Sequence, residues 1–238
     1  MAEDKISENI EEYLEVLYRN GSNGEQVSTS KISDELEIAP GSVTQMLKKL
    51  EKLGYIVYTP YRGAELTDDG MKIAQKITRK HRILEKFLRD VLKVKEDNVH
   101  NQACEMEHTL SDEAERALCH MLFQPDTCPS GSIVPACDFK FNSCEECMHS
   151  NFDIDSVERR EYPLLSVTQL KDGKHGKIAF IRGDESHRKI VEDQGLKIGD
   201  EVNIIEKDLS HENFTIRVNG KESSIKRSIL NKVFLDTH

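Results

Sequence analysis

Long apolar segments are absent from this chain of 238 residues. Nowhere do about 18 apolar residues follow one another, so the sequence predicts no membrane span. The N-terminal segment is acidic and amphipathic, unlike a secretory signal. Positive net charge is also lacking, and a net charge of −10 argues against non-specific coating of nucleic acid. We therefore expect a cytoplasmic protein. Its six cysteines are more typical of metal or thiol chemistry than of disulfides.

The N-terminal part of the chain has the pattern of a winged helix-turn-helix. The sequence predicts an amphipathic helix over residues 5–19, a short helix that ends near residue 36, and a third helix over about 43–53. Thr29 or Ser30 is the expected N-cap of the second helix and Ser42 that of the third, which Gly54 ends. Short extended runs at 55–59 and 64–67 flank a turn and form the predicted wing.

The third of these helices carries the predicted DNA contacts. In such a motif its N-terminal residues face base edges in the major groove, which indicates Ser42, Thr44 and Gln45. Between residues 42 and 62 four positive side chains oppose one negative, Glu51, for a net charge of +3. These four are Lys48, Lys49, Lys52 and Arg62. A merely solvated lysine-rich face is the alternative, but the helix-turn-helix pattern favours DNA binding.

Side chains of the kinds that bind metals recur at helical spacing in residues 79–121. His81 and Glu85 are four residues apart and share one helix face. A second face presents His100, Cys104, Glu107 and His108. One such residue alone is usually core or surface, but six on two neighbouring faces predict a cation site.

The stretches RKHRILEKFL and VHNQACEMEHTLSDEAER resemble the DtxR/IdeR/MntR family of metal-dependent repressors. The resemblance covers nearly the whole chain and implies a non-enzymatic, metal-activated transcriptional repressor of metal-homeostasis genes. It implies a homodimer that reads a palindromic operator. It adds Lys31 to the DNA-binding residues and assigns Arg62 to the wing. By the same resemblance the regulatory metal site is Glu12, Cys104, Glu107 and His108, and the second site is His81, Glu85 and His100.

The resemblance leaves the metal open. Glu12 stands where iron-responsive members have methionine and manganese-responsive ones aspartate, whereas Cys104 matches the iron-responsive type. Thiolate plus imidazole favours Fe²⁺, Co²⁺, Ni²⁺ or Zn²⁺ over Mn²⁺. We expect Fe²⁺ as co-repressor, with Mn²⁺ as the alternative. A metalloenzyme using the His/Glu/Cys cluster, and a constitutive DNA-binding protein with structural zinc, are alternatives of other classes.

A cysteine-rich insert covers residues 124–150. Its four thiols, which close on a CxxC pair, suit a structural tetrahedral Zn²⁺ site. They are Cys128, Cys137, Cys144 and Cys147. A flexible Pro/Gly loop with incidental cysteines is the alternative, and an iron–sulfur site is a further one with an atypical spacing.

The C-terminal part changes to short strands with glycine turns. The pair Asn219-Gly220 between alternating runs predicts a hairpin, and five or so strands predict a small SH3-like barrel. This part resembles the FeoA-type module of iron-responsive repressors. Asp184, Glu185 or His187 could then supply a further metal ligand, or be ordinary surface residues.

The expected architecture is a multidomain α+β chain. A winged helix-turn-helix DNA-binding domain covers residues 1–73, and an all-helical metal-binding and dimerisation domain with the cysteine-rich insert covers 74–150. A linker follows at 151–162, and the SH3-like FeoA-type domain covers 163–238.

Overall fold

The computed structural model describes residues 6–21, 25–141, 143–149, 154–208, 210 and 212–238. The chain divides into two compact units, Met1–Thr78 and Arg79–His238. A long helix, α4, runs through the point of division, and each unit is described by itself below. Among the described residues no helix is both long and apolar enough to cross a membrane.

The first unit is a winged helix-turn-helix, as predicted. Its elements are α1 (Glu8–Asn20), α2 (Thr29–Leu36), α3 (Pro40–Lys52), β1 (Ile56–Thr59), β2 (Gly63–Leu66) and the start of α4 (Asp68–Asp90). The two strands pair antiparallel and form the wing. Leu14 of α1, Ile32 of α2 and Leu47 of α3 are fully buried in one core, which fixes the three helices against each other.

Two predicted helix starts differ from the structure. The N-cap of α2 is Ser28, whose side chain accepts from the Lys31 backbone N–H, and not Thr29 or Ser30. Helix α3 begins at Pro40, so Ser42 lies inside its first turn. Proline suits that position because its missing N–H would have no partner there and its φ is already helical. The predicted end is confirmed, since Gly54 follows α3 with a φ of +82°.

The wing is fastened to the unit through a glycine. Gly63 opens β2 with a φ of +131°, and a Cβ there would lie 2.2 Å from the Val27 carbonyl oxygen. Val27 and Ala64 exchange backbone hydrogen bonds at 2.8 and 3.0 Å. Only a residue without a side chain allows this close approach of two backbone segments.

The helical part of the second unit continues α4 and adds three helices. They are α5 (Glu96–Glu107), α6 (Asp112–Met121) and α7 (Cys144–His149). Ser111 caps α6 by accepting from the Ala114 backbone N–H. A buried ion pair joins α4 to α6, with Arg79 Nε 2.6 Å from Glu115 Oε1.

The β part of the second unit is one antiparallel sheet of six strands in the order β3-β8-β4-β5-β6-β7. Its elements are β3 (Leu165–Ser166), β4 (His175–Ile181), α8 (Glu185–Asp193), β5 (Glu201–Lys207), β6 (Asn213–Val218), β7 (Lys221–Lys226), α9 (Arg227–Leu230) and β8 (Val233–Asp236). The predicted hairpin at Asn219-Gly220 is confirmed, with φ values of +49° and +81°. The sheet has six strands where the sequence suggested about five.

The cysteine-rich segment packs directly on this sheet. Ala136 shares a buried cluster with Phe180 of β4 and Phe234 of β8. Arg182 donates to the carbonyl oxygens of Pro125 and Pro135 at 3.2 and 2.6 Å. The helical and β parts are therefore joined inside the second unit by core contacts and by a buried cation.

Residues 151–162, predicted as a linker, include an anchored stretch. Arg159 lies 2.7 Å from Asp112 at the start of α6 and 2.9 Å from Asp138. Its guanidinium also lies 4.0 Å from the centre of the Phe139 ring. One side chain therefore ties this stretch to both a helix and the cysteine-rich segment.

Candidate metal centre and nucleic-acid interface

His81 is the centre of the metal-ligand cluster in the second unit. Its Nδ1 lies 2.5 Å from Glu107 Oε2, and its Nε2 lies 3.2 Å from Glu85 Oε1. Glu85 is one turn along α4 from His81, while Glu107 is the last residue of α5. The imidazole is buried, with a side-chain exposure of 5%. Helix spacing thus supplies one carboxylate and helix packing supplies the other.

His100 and Cys104 complete the α5 side of the cluster. His100 Nδ1 lies 3.1 Å from His81 Nε2, and the Cys104 Sγ lies 3.8 Å from ring nitrogens of both histidines. One donor atom from each of these three residues lies within 4.8 Å of the others. The set is open on one side, because the His100 side chain is about half exposed.

The structure brings residues of the two predicted sites into one continuous cluster. Cys104 and Glu107 were assigned to the regulatory site and His81 to the second, yet both contact His81. His108 follows α5 directly, with its Nε2 3.5 Å from Glu107 Oε1. Glu12 lies on α1 of the first unit, is exposed, and stays a prediction as a ligand.

Glu85 has a neighbour that the sequence analysis placed elsewhere. Burial would raise the pKa of Glu85, but hydrogen bonds and charge from His81, with contributions from Cys128 and His100, lower the pKa to about 2. The Cys128 thiol is near enough to this carboxylate to help lower its pKa, and its Sγ lies 3.0 Å from the Ser130 hydroxyl oxygen. Cys128 had been predicted as a zinc ligand of the cysteine-rich insert.

The donor chemistry of the cluster fits a divalent transition metal. His81, His100 and Cys104 offer nitrogen and sulfur, while Glu85 and Glu107 offer oxygen. Imidazole, thiolate and carboxylate are the ligands that Fe²⁺, Zn²⁺ and Mn²⁺ take in proteins, with thiolate preferred by the softer ions. Carboxylates gathered around an imidazole are also costly to bury together unless a cation balances them.

The other three predicted zinc ligands line a cavity elsewhere in the second unit. Cys137, Cys144 and Cys147 share it with two residues of α6, Cys119 and His120. Cys128 is not among the lining residues. The sequence pattern did not single out Cys119 or His120, because both lie outside the insert and at helical spacing look like part of a packed face.

The predicted DNA-binding residues form an exposed surface on the first unit. Six of them are exposed on α2, on α3 or on the wing: Lys31, Ser42, Gln45, Lys48, Lys49 and Arg62. Thr44 donates its hydroxyl to the Pro40 carbonyl at 2.9 Å, so its methyl group is the part left for a base contact. Lys31 on α2 pairs with Glu35 at 3.0 Å.

Tyr61 is a feature of this surface that the sequence analysis did not assign. It sits at the wing tip next to Arg62, is fully exposed, and has a φ of +68°. The sequence signal that could have found it is an aromatic residue inside the turn Pro60-Tyr61-Arg62-Gly63. An exposed aromatic beside an arginine is suited to stacking against sugar or base.

Asp184 has a local structural role. Its side chain caps α8 by accepting from the His187 backbone N–H at 3.0 Å and lies 2.6 Å from the Ser186 hydroxyl. Asp184 and Glu185 are exposed. These contacts favour the reading of the three residues Asp184, Glu185 and His187 as ordinary surface positions.

Three family models match consecutive parts of the chain. The N-terminal DNA-binding domain of iron-dependent repressors matches residues 5–64, and their metal-binding and dimerisation domain matches 67–136. The FeoA domain matches 165–237. An uncharacterised HTH-type transcriptional regulator of Methanocaldococcus jannaschii is 41% identical over 109 residues, which is 45% of this chain and 87% of that protein.

The chain belongs to the iron-dependent repressor family. The diphtheria toxin repressor of Corynebacterium efficiens is 28% identical over 201 residues, 84% of each chain. The solved structure of the metal-dependent transcriptional regulator MtsR has a TM-score of 0.50 at 23% identity, covering 98% of this repressor and all of that chain. That likeness supports the fold. The repressor is thus a metal-dependent transcriptional regulator with a DNA-binding domain and a metal-binding and dimerisation domain.

Proposed function

We propose that this repressor uses Fe²⁺ as its co-repressor and binds a palindromic operator as a homodimer. The observation that carries the choice of metal is the donor set of His81, His100 and Cys104, whose ligand atoms lie within 4.8 Å of one another. Two imidazoles and a thiol are softer donors than Mn²⁺ prefers. The regulated genes, by the same proposal, serve iron homeostasis.

Mn²⁺ is the second candidate, and it too rests on a specific observation. Glu85 and Glu107 both contact His81, so two carboxylates belong to the same cluster as the thiol. Oxygen donors suit Mn²⁺ as well as Fe²⁺. The preference for Fe²⁺ or Mn²⁺ therefore depends on how strongly the Cys104 thiolate contributes to binding relative to the two carboxylates.

The residues of the cluster act by holding helices together. When bound, a divalent cation supplies the charge that balances Glu85 and Glu107. His81 and Glu85 would then keep α4 in a fixed position relative to His100 and Cys104 on α5. The family resemblance further assigns Glu12 of the DNA-binding domain to the regulatory site. When the DNA-binding domain is restrained in this way, it loses less conformational entropy on binding the operator. The affinity of the repressor for operator DNA therefore rises.

The DNA-binding surface divides between base and phosphate contacts. Gln45 and Ser42 are exposed at the start of α3, where they can reach base edges in the major groove. Lys48, Lys49 and Arg62 supply positive charge for phosphates. In a homodimer the two α3 helices would read half-sites about one helical turn apart.

The test is an anaerobic binding assay on the chain's own upstream DNA. Chelated protein is mixed with labelled DNA, and Fe²⁺, Mn²⁺ or Zn²⁺ is returned at buffered free concentrations. We expect binding to return at the lowest concentration with Fe²⁺. Recovery mainly with Mn²⁺ would replace Fe²⁺ by the second candidate, and binding indifferent to chelator would contradict metal activation.

A variant tests the assignment of Glu12. Glu12→Ala is expected to leave the protein folded while weakening the metal-stimulated part of operator binding. Glu11→Ala, which removes a neighbouring carboxylate of α1, is the matched control. An unchanged metal response in Glu12→Ala would remove Glu12 from the regulatory site.

A further inference from the structure

A second cluster of metal-binding side chains surrounds a small cavity of the second unit. The cavity has a volume of about 30 Å³, which is room enough for one monatomic ion. Four thiols and one imidazole line it: Cys119, His120, Cys137, Cys144 and Cys147. The first two come from α6, and the others from the cysteine-rich segment and α7.

One pair of these side chains already has the spacing of two ligands on one ion. His120 Nε2 lies 3.4 Å from Cys147 Sγ. Zinc–nitrogen and zinc–sulfur bonds at a tetrahedral angle place the two ligand atoms about 3.5 Å apart. Among the described residues no third ligand atom of this kind lies within 4.8 Å of both. Cys137 and Cys144 line the same cavity and would close on the ion.

The positive charges around the cavity favour an anionic group inside it. Four arginines line it or contact its thiols and walls: Arg79, Arg116, Arg160 and Arg182. Arg79 is paired with Glu115. Arg182 is buried and its hydrogen bonds go to two carbonyl oxygens. The charge of Asp126 acts on it, but among the described ion pairs this carboxylate is paired with Lys232. A buried guanidinium without a counterion in direct contact is costly.

A thiolate–metal centre would provide that counterion. A divalent ion with three thiolates and one neutral imidazole carries one net negative charge. Arg116 Nε already donates to Cys147 Sγ at 3.4 Å, and the Gly183 backbone N–H donates to Cys144 Sγ at 3.4 Å. Hydrogen bonds of this kind to ligand sulfurs are the usual surroundings of a bound metal.

We propose that Cys137, Cys144, Cys147 and His120 bind one Zn²⁺ ion. Cys119 is set apart from this ligand set because its Sγ accepts from Arg79 Nη2 at 3.1 Å and lies in an apolar cluster with Ile83 and Val134. The bound ion would fasten α7 to α6 and to the segment that carries Cys137, and the Gly183 backbone N–H would bond the ligand sulfur of Cys144. It is separate from the cluster around His81 and does not depend on which metal activates the repressor.

Zinc content measures this proposal directly. The full-length chain is prepared in a Cys104→Ser, His100→Ala background, which weakens zinc binding at the His81 cluster, and is dialysed against a weak chelator. Elemental analysis is expected to find one retained zinc per chain. Cys147→Ser and His120→Asn in this background are expected to lose it, while Cys128→Ser and Cys119→Ser keep it.

Cobalt substitution gives a readout that reports the ligands. Co²⁺ in place of zinc is expected to give thiolate-to-metal charge-transfer absorption, which weakens in Cys147→Ser. Circular dichroism identifies any variant that fails to fold, and the partly exposed His120 then serves as the decisive position. Retained zinc in His120→Asn, loss in Cys128→Ser or Cys119→Ser, or a parent chain without zinc would each overturn the proposed ligand set.

Discussion

His81 has a carboxylate at each of its ring nitrogens. Glu107 at Nδ1 and Glu85 at Nε2 come from different helices, so this one imidazole links α4 to α5. Cys104 adds the only thiol within 3.8 Å of it among the described hydrogen-bond contacts. At the scale of single residues, the metal preference therefore depends on one sulfur among nitrogen and oxygen donors.

The first prediction exchanges that sulfur for oxygen. In Cys104→Glu the cluster becomes harder, so the free Fe²⁺ needed for half-maximal DNA binding should rise relative to Mn²⁺ by roughly tenfold or more. Buffered-metal anisotropy titrations with operator DNA measure both concentrations. Cys119→Ser, a thiol change away from this cluster, is the control. An unaltered Fe²⁺/Mn²⁺ ratio in Cys104→Glu would remove Cys104 from the selectivity of the site.

The second prediction separates base recognition from phosphate attraction on α3. Gln45→Ala should cost about 1–3 kcal/mol at one operator position and leave the salt dependence unchanged. Lys49→Ala should weaken binding to all sequences and lower the slope of log K against log salt by about 1. Binding is measured over a salt series with specific and mutated operators. If both variants changed operator discrimination and the salt slope equally, Gln45 and Lys49 could not be divided into a base contact and a phosphate contact.

At the scale of elements, the wing depends on one backbone contact. Gly63 has a φ of +131°, and its Cα faces the Val27 carbonyl oxygen, so the strand pair and the segment before α2 approach too closely for any side chain. Helix α3 contains the opposite case. A Cβ added at Gly41 would meet no atom within 4 Å.

The third prediction uses these two glycines as a matched pair. Gly63→Ala should lower the free energy of unfolding of the DNA-binding domain by roughly 1–3 kcal/mol or more, because both its φ and the nearby carbonyl oppose a Cβ. Gly41→Ala should be neutral or stabilise by up to about 1 kcal/mol. Denaturant titrations compare them. Similar effects at both positions would show that the Val27 contact is unimportant.

At the scale of the whole molecule, the second unit joins helices and sheet through the cysteine-rich segment. Phe180 and Phe234 of the sheet are buried with Ala136 of that segment, and Lys232 pairs with Asp126. Residues predicted as two domains with a linker therefore share core contacts inside one compact unit. Removing a buried side chain of the sheet at this junction should therefore destabilise the helices of the second unit as well.

The fourth prediction tests this coupling. Phe180→Ala removes a side chain that is 2% exposed and should cost about 3–5 kcal/mol, in a single transition that includes the helical signal. Ile190→Ala replaces a residue of α8 that is 50% exposed and should change stability by less than about 0.5 kcal/mol. Thermal melts followed by circular dichroism separate the outcomes. A helical transition unaffected by Phe180→Ala would mean that the two parts unfold independently.

The sequence by itself determined the elements and the types of ligand. Periodicity predicted the winged helix-turn-helix, and the Asn219-Gly220 pair predicted the hairpin between β6 and β7 of the C-terminal sheet, because both signals are local in the chain. Helical spacing likewise put His81 with Glu85, and His100 with Cys104, on shared faces. The predicted start of α3 was wrong: Ser42 was the predicted N-cap, whereas the helix begins at Pro40, whose fixed φ is already helical.

Only the tertiary structure decided which of these faces meet. Spacing along a helix cannot tell that Glu107 reaches His81 across two helices, that Cys128 lies at Glu85, or that His120 faces Cys147. These contacts join residues 26, 43 and 27 positions apart, as the residue numbers themselves give. Contacts at such distances are set by how helices and sheet pack around a common core, and packing depends on the shapes of all the buried side chains together.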